Sequence, residues 1–495
     1  MRNFIKNEIT STLDLVDEGL EYLTNPNCKE DEEFIIINAI QNSIQEIKKA
    51  IDNKLNKNKP IEHIKTINNL HELIKKLSLN HSNYLITEII EKSKSLREIV
   101  QRTTPTINIV FICYNYSMWD SFHTIWKSAN ADKNCDVVVL PIPFYEIKNN
   151  NELVKHDVNL KTYPKQLQAK DYKIYSIEDS KPDIVYIHNP YDQYNKITIT
   201  DEVYFSYNIK KYCDLLVYVP YYLAARRFSS FNRFAKEPDL IYGLPAEINS
   251  DYLIVSTDEW SKAMQFAGCD YSKIISTGSS KIEATRYYTE LSSGTHIEWN
   301  QKAKKRKTVL INSSITDLLN KENYIETMDN LIRNIINDTD IFLIWRPHPH
   351  LMRTIRSLKP RLMSAFNQLV SHVENSENAV IDISEGPYDA IIASDALISD
   401  NSSLLKTYIY TEKPVLNISV KPNPKAENCI LDIYSTYINE NCNIDQFIGY
   451  IKQGSDPLKK TRLHKANKKL HSIDGSGDRI HKEILFKYLN QLKFL

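Results

Sequence analysis

The first hundred residues have the apolar spacing of amphipathic helices. In the segment 34–55, isoleucine and alanine recur at steps of three and four residues, with polar side chains between them. The segments 61–77 and 84–100 repeat this spacing, and polar, helix-breaking residues separate the three runs. The pattern predicts that residues 1–103 form an all-α helical bundle module.

Beyond residue 104 the chain changes to short, apolar, β-branched runs that alternate with helical stretches. This alternation predicts parallel sheets covered by helices on both faces. The predicted strands form two series, namely 107–113, 136–140, 184–187, 215–219 and 252–255, then 308–311, 341–345, 379–381, 396–398 and 414–418. We expect two Rossmann-like α/β domains facing one cleft, at 104–265 and 266–470. A last helix is expected at 471–495, and it could cross back to the first of these domains.

The charge balance argues against a nucleic-acid partner. Lys plus Arg and Asp plus Glu number 62 each in 495 residues, so the chain lacks the basic footprint of such proteins. Acidic residues outnumber basic ones in the first hundred residues, which favours a solvated module, or one for docking or homo-oligomerisation, over a membrane-surface helix.

Cysteine usage and hydropathy bear on location. The seven cysteines are scattered without metal-ligand spacing, which is typical of reduced thiols in a cytoplasmic protein. The N-terminus lacks the apolar core of a signal peptide, and no run approaches the roughly 20 apolar residues that span a bilayer. Membrane association, if any, is expected to be peripheral, at the inner face.

Two polar motifs follow predicted strands of the second series. Arg346 and His348, in the sequence Trp-Arg-Pro-His-Pro-His, offer a guanidinium for phosphate oxygens and an imidazole that donates or moves a proton. The segment 399–403, Ser-Asp-Asn-Ser-Ser, precedes a predicted helix at 404–410. Its amides and hydroxyls would form an anion site at the helix start. A rigid turn for the first motif and simple helix capping for the second are the alternatives.

Several segments together resemble the CDP-glycerol glycerophosphotransferases of teichoic-acid and capsule synthesis, which belong to the GT-B superfamily. Residues 399–403 are similar to that family's Asp-Tyr-Ser-Ser segment, and 346–349 to its basic-residue, any-residue, His-Pro motif. Gly278, Lys281 and Glu283 match its hinge-region glycine, basic residue and carboxylate. The resemblance extends over about 252–485.

The resemblance implies roles for these residues. His348 would contact or protonate the donor phosphates, and Gly278 and Lys281 would line the cleft near the nucleotide. The diphosphate would be bound by the segment Asp400, Asn401, Ser402 and Ser403. The residues themselves add Glu385, which follows a predicted strand and could bind a ribose hydroxyl or be a solvated turn acid.

The chain departs from the family pattern in two places. Asn401 stands where the family has Tyr, and Thr407 where it has Asp. The Trp-His-Gly-Thr-Pro segment, whose His is the expected base in the family, has no counterpart near 218–222. His188 and then Asp120, which follow predicted strands, are the alternative bases, and structural roles for both are left open.

The sequence therefore predicts an enzyme, a GT-B-like transferase. It would move a glycerophosphate, a related polyol-phosphate or a glycosyl unit from a CDP-linked donor to a cell-surface polymer precursor, with a lipid-linked precursor as one option. A UDP-sugar-dependent glycosyltransferase and a non-catalytic nucleotide- or polymer-binding protein are the alternatives. No Asp-any-Asp metal clamp is evident, so no metal or other cofactor is expected to be required, although a divalent ion could help from solution.

Overall fold

A computed structural model describes residues 2–25, 28–54, 61–80, 82–103, 106–148, 152–195, 197–223, 242–400, 402–419, 437–438, 442–469 and 474–492. The chain divides into two compact units. The first comprises Met1–Asn108 with Asp132–Asp136, and the second comprises Ile109–Ala131 with Val137–Leu495. Both α/β halves lie in the second unit, so contacts between these halves are contacts within one unit.

The first unit is built from four helices. They are α1 (Asn3–Leu23), α2 (Glu30–Lys54), α3 (Ile61–Leu77) and α4 (Asn83–Arg102). Each has one apolar stripe, and these stripes meet in a core that includes Leu20, Ile44 and Leu70, all 0% exposed. The predicted all-α module is confirmed. The apolar runs in the sequence predicted α2, α3 and α4 individually, whereas α1 was not predicted as a separate helix.

The first α/β half has a six-stranded sheet in the order β2-β1-β5-β7-β8-β9. Its elements are β1 (Ile107–Cys113), α5 (His123–Ala131), β2 (Cys135–Pro141), β3 (Phe144–Ile147), β4 (Leu153–His156), α6 (Ile177–Ser180), β5 (Ile184–Ile187), β6 (Thr198–Thr200), α7 (Ser206–Ile209), β7 (Leu215–Tyr218), α8 (Pro245–Asn249), β8 (Tyr252–Ile254), α9 (Asp258–Phe266) and β9 (Ile274–Ile275). The registers from β1 through β5, β7 and β8 to β9 are parallel. Because both faces are covered, β1 is buried along its whole length.

A small antiparallel sheet, which the sequence analysis did not predict, interrupts this half. Its order is β4-β3-β6, with Phe144 opposite both His156 and Thr200. The strands are short and half-exposed, so they lack the continuous apolar run that marks a buried strand.

The second α/β half has the strand order β12-β11-β10-β13-β14-β15. Its elements are α10 (Ser280–Glu283), α11 (Tyr288–Leu291), α12 (Thr295–Ala303), β10 (Lys307–Ser313), α13 (Ile315–Asn320), α14 (Tyr324–Ile336), β11 (Ile341–Pro347), α15 (Leu351–Leu358), α16 (Met363–Glu374), β12 (Ala379–Ile381), α17 (Tyr388–Ala393), β13 (Ala396–Ser399), α18 (Ser403–Tyr408), β14 (Val415–Asn417), β15 (Tyr437–Ile438), α19 (Ile444–Gln453), α20 (Lys459–Lys469) and α21 (Ser476–Gln491). All its registers are parallel, and the order reverses between β10 and β13. This is the doubly wound order of a Rossmann fold.

The last helix, α21, packs on the first α/β half. Ser128 on α5 donates to Asp478 at 3.1 Å. Tyr488 donates its hydroxyl to Asp183 (2.9 Å) and to Asp214 (3.1 Å). The expected GT-B-like pair of Rossmann-like domains, preceded along the chain by a helical module, is thus confirmed. Among the described residues, no helix combines the length and hydropathy that crossing a membrane requires.

Candidate functional site

A buried arginine organises the carboxyl end of β11. Arg346 is 8% exposed and donates through Nη1 to Asp382 at 2.5 Å and to Ser384 Oγ at 3.1 Å. Its Nη2 donates to the backbone oxygens of Ser384 and Glu385, at 3.1 and 3.3 Å. The guanidinium therefore holds the loop after β12 against the end of β11, with its charge balanced by the Asp382 carboxylate.

His348 has a tautomer that its backbone contacts set. Its amide donates to the Ser313 oxygen (3.0 Å), and its Nδ1 accepts from the His350 amide (3.1 Å). Because Nδ1 accepts, the hydrogen of the neutral ring is on Nε2, where it can be donated to an anion. Burial, together with His350 and Arg346, lowers the pKa of His348 to about 4. Near neutral pH this side chain is a neutral hydrogen-bond donor.

The serine segment after β13 combines a helix cap with a buried carboxylate. Ser402 caps α18, accepting from the Leu405 amide at 3.3 Å, and its Oγ is 3.0 Å from Ser399 Oγ. Asp400 is fully buried and accepts from the Ser314 amide (2.7 Å) and the Tyr324 hydroxyl (2.8 Å). Asp400 therefore fastens the start of the loop after β10 to the end of β13.

Two residues of the predicted anion site in this segment are not fully described by the structure. Asn401 lies outside the described residues, and so does the side chain of Ser403. Their predicted contribution to diphosphate binding stays a prediction.

The strand register brings the two loops that are predicted to bind the donor substrate to the same edge of the sheet, the one formed by the carboxyl ends of its strands. Asn312, on β10, pairs with Arg346 on one side and with Ser399 on the other. Its Nδ2 also donates to Ser399 Oγ at 3.2 Å. Neighbouring strands lie about 4.8 Å apart, so the His348 and Ser402 loops leave strands that are roughly 10 Å apart.

The hinge-region residues tie the chain end to the start of α10. Gly278 has φ +110°, and a Cβ there would lie 2.3 Å from Ser476 Oγ. The Glu283 carboxylate accepts from the amides of Gly475 (2.6 Å) and Gly477 (2.7 Å). Glycine is needed at 278 for both its φ and its close approach. In this structure Gly278 and Glu283 hold the segment before α21.

Lys281 and Asp120 form an ion pair between the two α/β halves. The ammonium is 2.6 and 2.5 Å from the two Asp120 oxygens, and the side chains are 13% and 3% exposed. Burial raises the pKa of Asp120, and Lys281 opposes that shift. Asp120 lies in a 3-10 turn before α5. His123, the first residue of α5, contacts Glu290 at 3.2 Å.

His188, the first-choice base, has both ring nitrogens in contact with the protein. Nε2 accepts from the Tyr114 amide at 3.3 Å, and Nδ1 is 3.4 Å from Ser121 Oγ. The ring is 1% exposed and stacks on Phe122, with centroids 4.6 Å apart. Burial, with Lys281 nearby, lowers the pKa of His188 to about 3. In this conformation no open nitrogen faces an acceptor hydroxyl.

Two cavities adjoin at this edge. The larger, about 1090 Å³, runs along β12 and α16 and reaches Arg346, His348 and Asp382. The smaller, about 360 Å³, lies between the halves. Its lining from the first half comprises Tyr114, Asn115, Tyr116, Ser117, Ile142, Phe144, His156, Asp157, Val158, Asn159, Thr162 and Tyr163, and from the second Pro349, Ile383, Ser384 and Glu385. Pro349, Ile383 and Ser384 border both cavities, so the two are continuous.

Glu385 lies at the smaller cavity and is exposed, although partial burial raises its pKa. Its proposed contact to a ribose is not tested by the geometry. Of the aromatic residues that follow β1, Tyr114 and Tyr116 line this cavity, whereas Trp119 is fully buried.

The hairpin β3–β4 brings further polar groups that the sequence analysis missed. His156 Nε2 is 3.1 Å from a Glu146 oxygen, and the ring stacks on Phe144 with centroids 4.8 Å apart. Arg353, on α15 of the second half, pairs with Glu146 and donates to the Ile147 oxygen at 3.2 Å. The segments 144–147 (Phe-Tyr-Glu-Ile) and 153–156 (Leu-Val-Lys-His) show no regular alternation of apolar and polar residues, so the sequence carries no strand signal there.

Comparison with known proteins gives likenesses of fold. No family model matches the chain, and no match is found among curated proteins. The wall teichoic acid polymerase TagF is similar at 13% identity and a TM-score of 0.46, over 87% of this chain and 99% of its own. A UDP-N-acetylglucosamine 2-epimerase has 14% identity and a TM-score of 0.49, over 77% and 96% of the two chains.

A second 2-epimerase, from Neisseria meningitidis with bound UDP-GlcNAc, has 13% identity and a TM-score of 0.46, over 77% of this chain and 100% of its own. At these identities the activities of the solved proteins are not carried over to this chain.

Proposed function

We propose that this chain is a GT-B-type transferase that moves a glycerophosphate, or a related polyol-phosphate unit, from a CDP-linked donor to a cell-surface polymer precursor. The observation that carries the proposal is the shared edge of the second sheet. There a hydrogen-bond-donating imidazole lines a large groove, and a hydroxyl-capped helix starts two strands away. The motif resemblance around 346–349 and 399–403 supports the choice of a CDP-linked donor.

In this proposal the donor nucleotide occupies the groove of about 1090 Å³. His348 donates from Nε2 to a phosphate oxygen, and Ser402 with its neighbours binds the diphosphate. Arg346 contributes by holding the loop 382–385 that borders the groove. Fixed donors aimed at the leaving phosphate stabilise charge that develops as the bond breaks, and they need no resident metal for this step.

The acceptor occupies the adjoining cavity between the halves. Tyrosine and phenylalanine rings at its wall offer faces for a polyol or sugar, and polar groups border the same space. Shared residues Pro349 and Ser384 put acceptor and donor in contact. Proximity of the two substrates is itself a large part of catalysis in group transfer.

The test begins with binding. Thermal unfolding is followed with CDP-glycerol, CMP, UDP and UDP-GlcNAc, since a ligand that binds the folded state alone stabilises it by about 2.7 kcal/mol at 100 times its Kd. A rise with CDP-glycerol or CMP, and CMP release from CDP-glycerol when a polyol-phosphate acceptor is added, is the expected result.

Other outcomes identify the rivals. A rise with UDP compounds alone would replace the proposal by a UDP-sugar glycosyltransferase. Binding of CDP-glycerol without turnover on any acceptor would instead favour a non-catalytic nucleotide- or polymer-binding protein.

A further inference from the structure

The antiparallel hairpin β3–β4 places a histidine and a carboxylate on one face at the wall of the acceptor cavity. Phe144 lies opposite His156 in the register, and Glu146 is two residues along the same strand. Side chains two apart on a strand share a face, so Phe144, Glu146 and His156 face the same way. His156 lines the cavity of about 360 Å³ and its side chain is 44% exposed.

The hydrogen bonds of this pair set the ring's tautomer. Glu146 also pairs with Arg353 from the second half, which keeps the carboxylate ionised. A carboxylate only accepts, so Nε2 of His156, 3.1 Å away, carries the hydrogen. Nδ1 is then the ring's lone-pair nitrogen. A histidine oriented by a carboxylate in this way is the arrangement of a general base.

Asp157 at this cavity, and the earlier candidates Asp120 and His188, are less suited to the task than His156. The hydroxyl of Tyr172, and then Lys173, lower the pKa of Asp157 to about 2, so that carboxylate is a weak base. Asp120 is bound by Lys281 and His188 has both nitrogens engaged.

We infer that His156 is the general base that activates the acceptor hydroxyl, and that Glu146 is the residue that positions it. The inference rests on the proposed function, because it needs a donor bound at the adjoining groove. The acceptor oxygen forms a bond to the donor's β-phosphorus as its proton moves to His156 Nδ1. The bond from that phosphorus to the bridging oxygen breaks, and the electron pair leaves with CMP. His156 then returns the proton to solvent.

The surroundings of the ring make this step pH-dependent. The charged or titratable groups around it are Glu146 on its own hairpin, Asp157 beside it, and Arg353 and His350 from the second half. An imidazolium cannot accept a proton, so the transfer rate is expected to fall as pH decreases.

The experiment compares three variants of the full chain in CDP-glycerol turnover with a polyol-phosphate acceptor. His156→Gln is expected to lower kcat by about 10²- to 10⁴-fold, which is the usual contribution of a general base. Its KM for the donor and the thermal shift by CMP should stay at wild-type values. Glu146→Gln should lower kcat less than His156→Gln does and should leave the KM for the donor at the wild-type value.

A matched control residue, His372, lies on α16 of the second half. His372 contacts Asp329 at 2.9 Å and Arg333 at 2.5 Å, so it repeats the histidine–carboxylate–arginine combination, and it is not part of either cavity lining. His372→Gln should therefore leave kcat unchanged. Because His156 is exposed, imidazole added to a His156→Ala variant should restore part of the rate.

The outcomes separate the two proposals. Wild-type kcat in His156→Gln, while His348→Asn is impaired, overturns the assignment of the base and leaves the proposed function standing. An impaired His156→Ala variant whose rate imidazole does not restore likewise overturns it. Absence of turnover by the wild type overturns the proposed function and the base together.

Discussion

At the scale of single residues, the histidines of this protein differ by what their ring nitrogens contact. His188 has protein partners at both nitrogens and is buried, so it is a structural group in this conformation. His348 has a backbone donor at Nδ1, which leaves Nε2–H for a ligand. His156 has a carboxylate at Nε2, which leaves a lone pair at Nδ1. The same side chain is therefore assigned three different roles.

The tautomer of His348 predicts different effects for two amide replacements. The amide oxygen of His348→Asn can accept from the His350 amide as Nδ1 does, but the variant lacks a donor at the Nε2 position. His348→Gln can supply that donor. We expect kcat to fall by about 10²-fold in the Asn variant and clearly less in the Gln variant. Steady-state kinetics with CDP-glycerol checks this, and equal losses in both variants would contradict it.

At the scale of elements, helix ends and loops are held by side chains from distant parts of the chain. Asp389, on α17, accepts from the hydroxyl of Ser292 (2.6 Å), the amide of Ser293 (2.9 Å) and the amide of His296 (3.1 Å). These bonds satisfy donors around the first turn of α12, which would otherwise lack partners. The loop before α12 is thereby joined to α17.

The stabilisation by Asp389 should depend on pH. Burial alone would raise its pKa, but the hydrogen bonds from Ser292 and His296 lower the pKa below the ordinary value of 3.8. A carboxyl with a lowered folded-state pKa stabilises the fold above its unfolded value and loses that contribution as pH falls. Asp389→Asn should lower the free energy of unfolding by about 1–3 kcal/mol at pH 7.

Urea unfolding of the wild type and of Asp389→Asn between pH 7 and pH 3 measures this difference. It should stay constant down to about pH 5 and shrink below about pH 4, as the Asp389 carboxyl of the unfolded wild-type chain becomes protonated while that of the folded chain stays ionised. A difference that does not change across this range would show that the charge of Asp389 is not the cause.

The attachment of α21 depends on a glycine in the hinge region. Gly278→Ala introduces both an unfavourable φ and a Cβ that would overlap Ser476 Oγ. Gly268 is a matched control, because it has φ +97° but open space around its Cβ position. We expect Gly268→Ala to lower the free energy of unfolding by about 1–2 kcal/mol and Gly278→Ala by about 1–3 kcal/mol more.

Thermal unfolding and limited proteolysis at the chain end test this comparison. Equal effects of the two substitutions would mean that the contact between Gly278 and Ser476 does not hold the end of the chain.

At the scale of the whole second unit, polar pairs join the two α/β halves, and the pair of Lys281 with Asp120 is buried. Lys281 pairs with Asp120, and Glu290 accepts from Lys127 at 2.6 Å and contacts His123. Since such pairs lose solvation on burial, their net stabilisation is small, but removing one partner leaves a buried charge. The relative position of the halves therefore depends on both members of each pair.

A double-mutant cycle on Asp120 and Lys281 should show strong coupling. Asp120→Asn leaves the ammonium without a compensating charge and should lower the free energy of unfolding by about 3–5 kcal/mol. Adding Lys281→Met removes that charge, so the double variant should be less destabilised than the two single losses predict. Urea unfolding provides all four values, and simple additivity would contradict the coupling.

The sequence by itself determined the order and type of the main elements. Long runs of apolar residues with a period of 3.6 or with β-branched composition predicted the helical module and both strand series, because burial of those residues is a local requirement that any fold of this chain must meet. The short hairpin β3–β4 escaped prediction, since its strands are half-exposed and are stabilised by neighbours outside the segment.

Only the tertiary structure decided what each polar residue does. Arg346 faces Asp382, Asp120 faces Lys281 and Glu283 faces the amides before α21, and every one of these partners is more than 30 positions away in the chain. Spacing in the sequence carries no information on such pairs, because parallel strands joined by helices bring together side chains from distant segments. Hydrogen bonds and burial then set the charge and tautomer of each group, and with them the chemistry that it can perform.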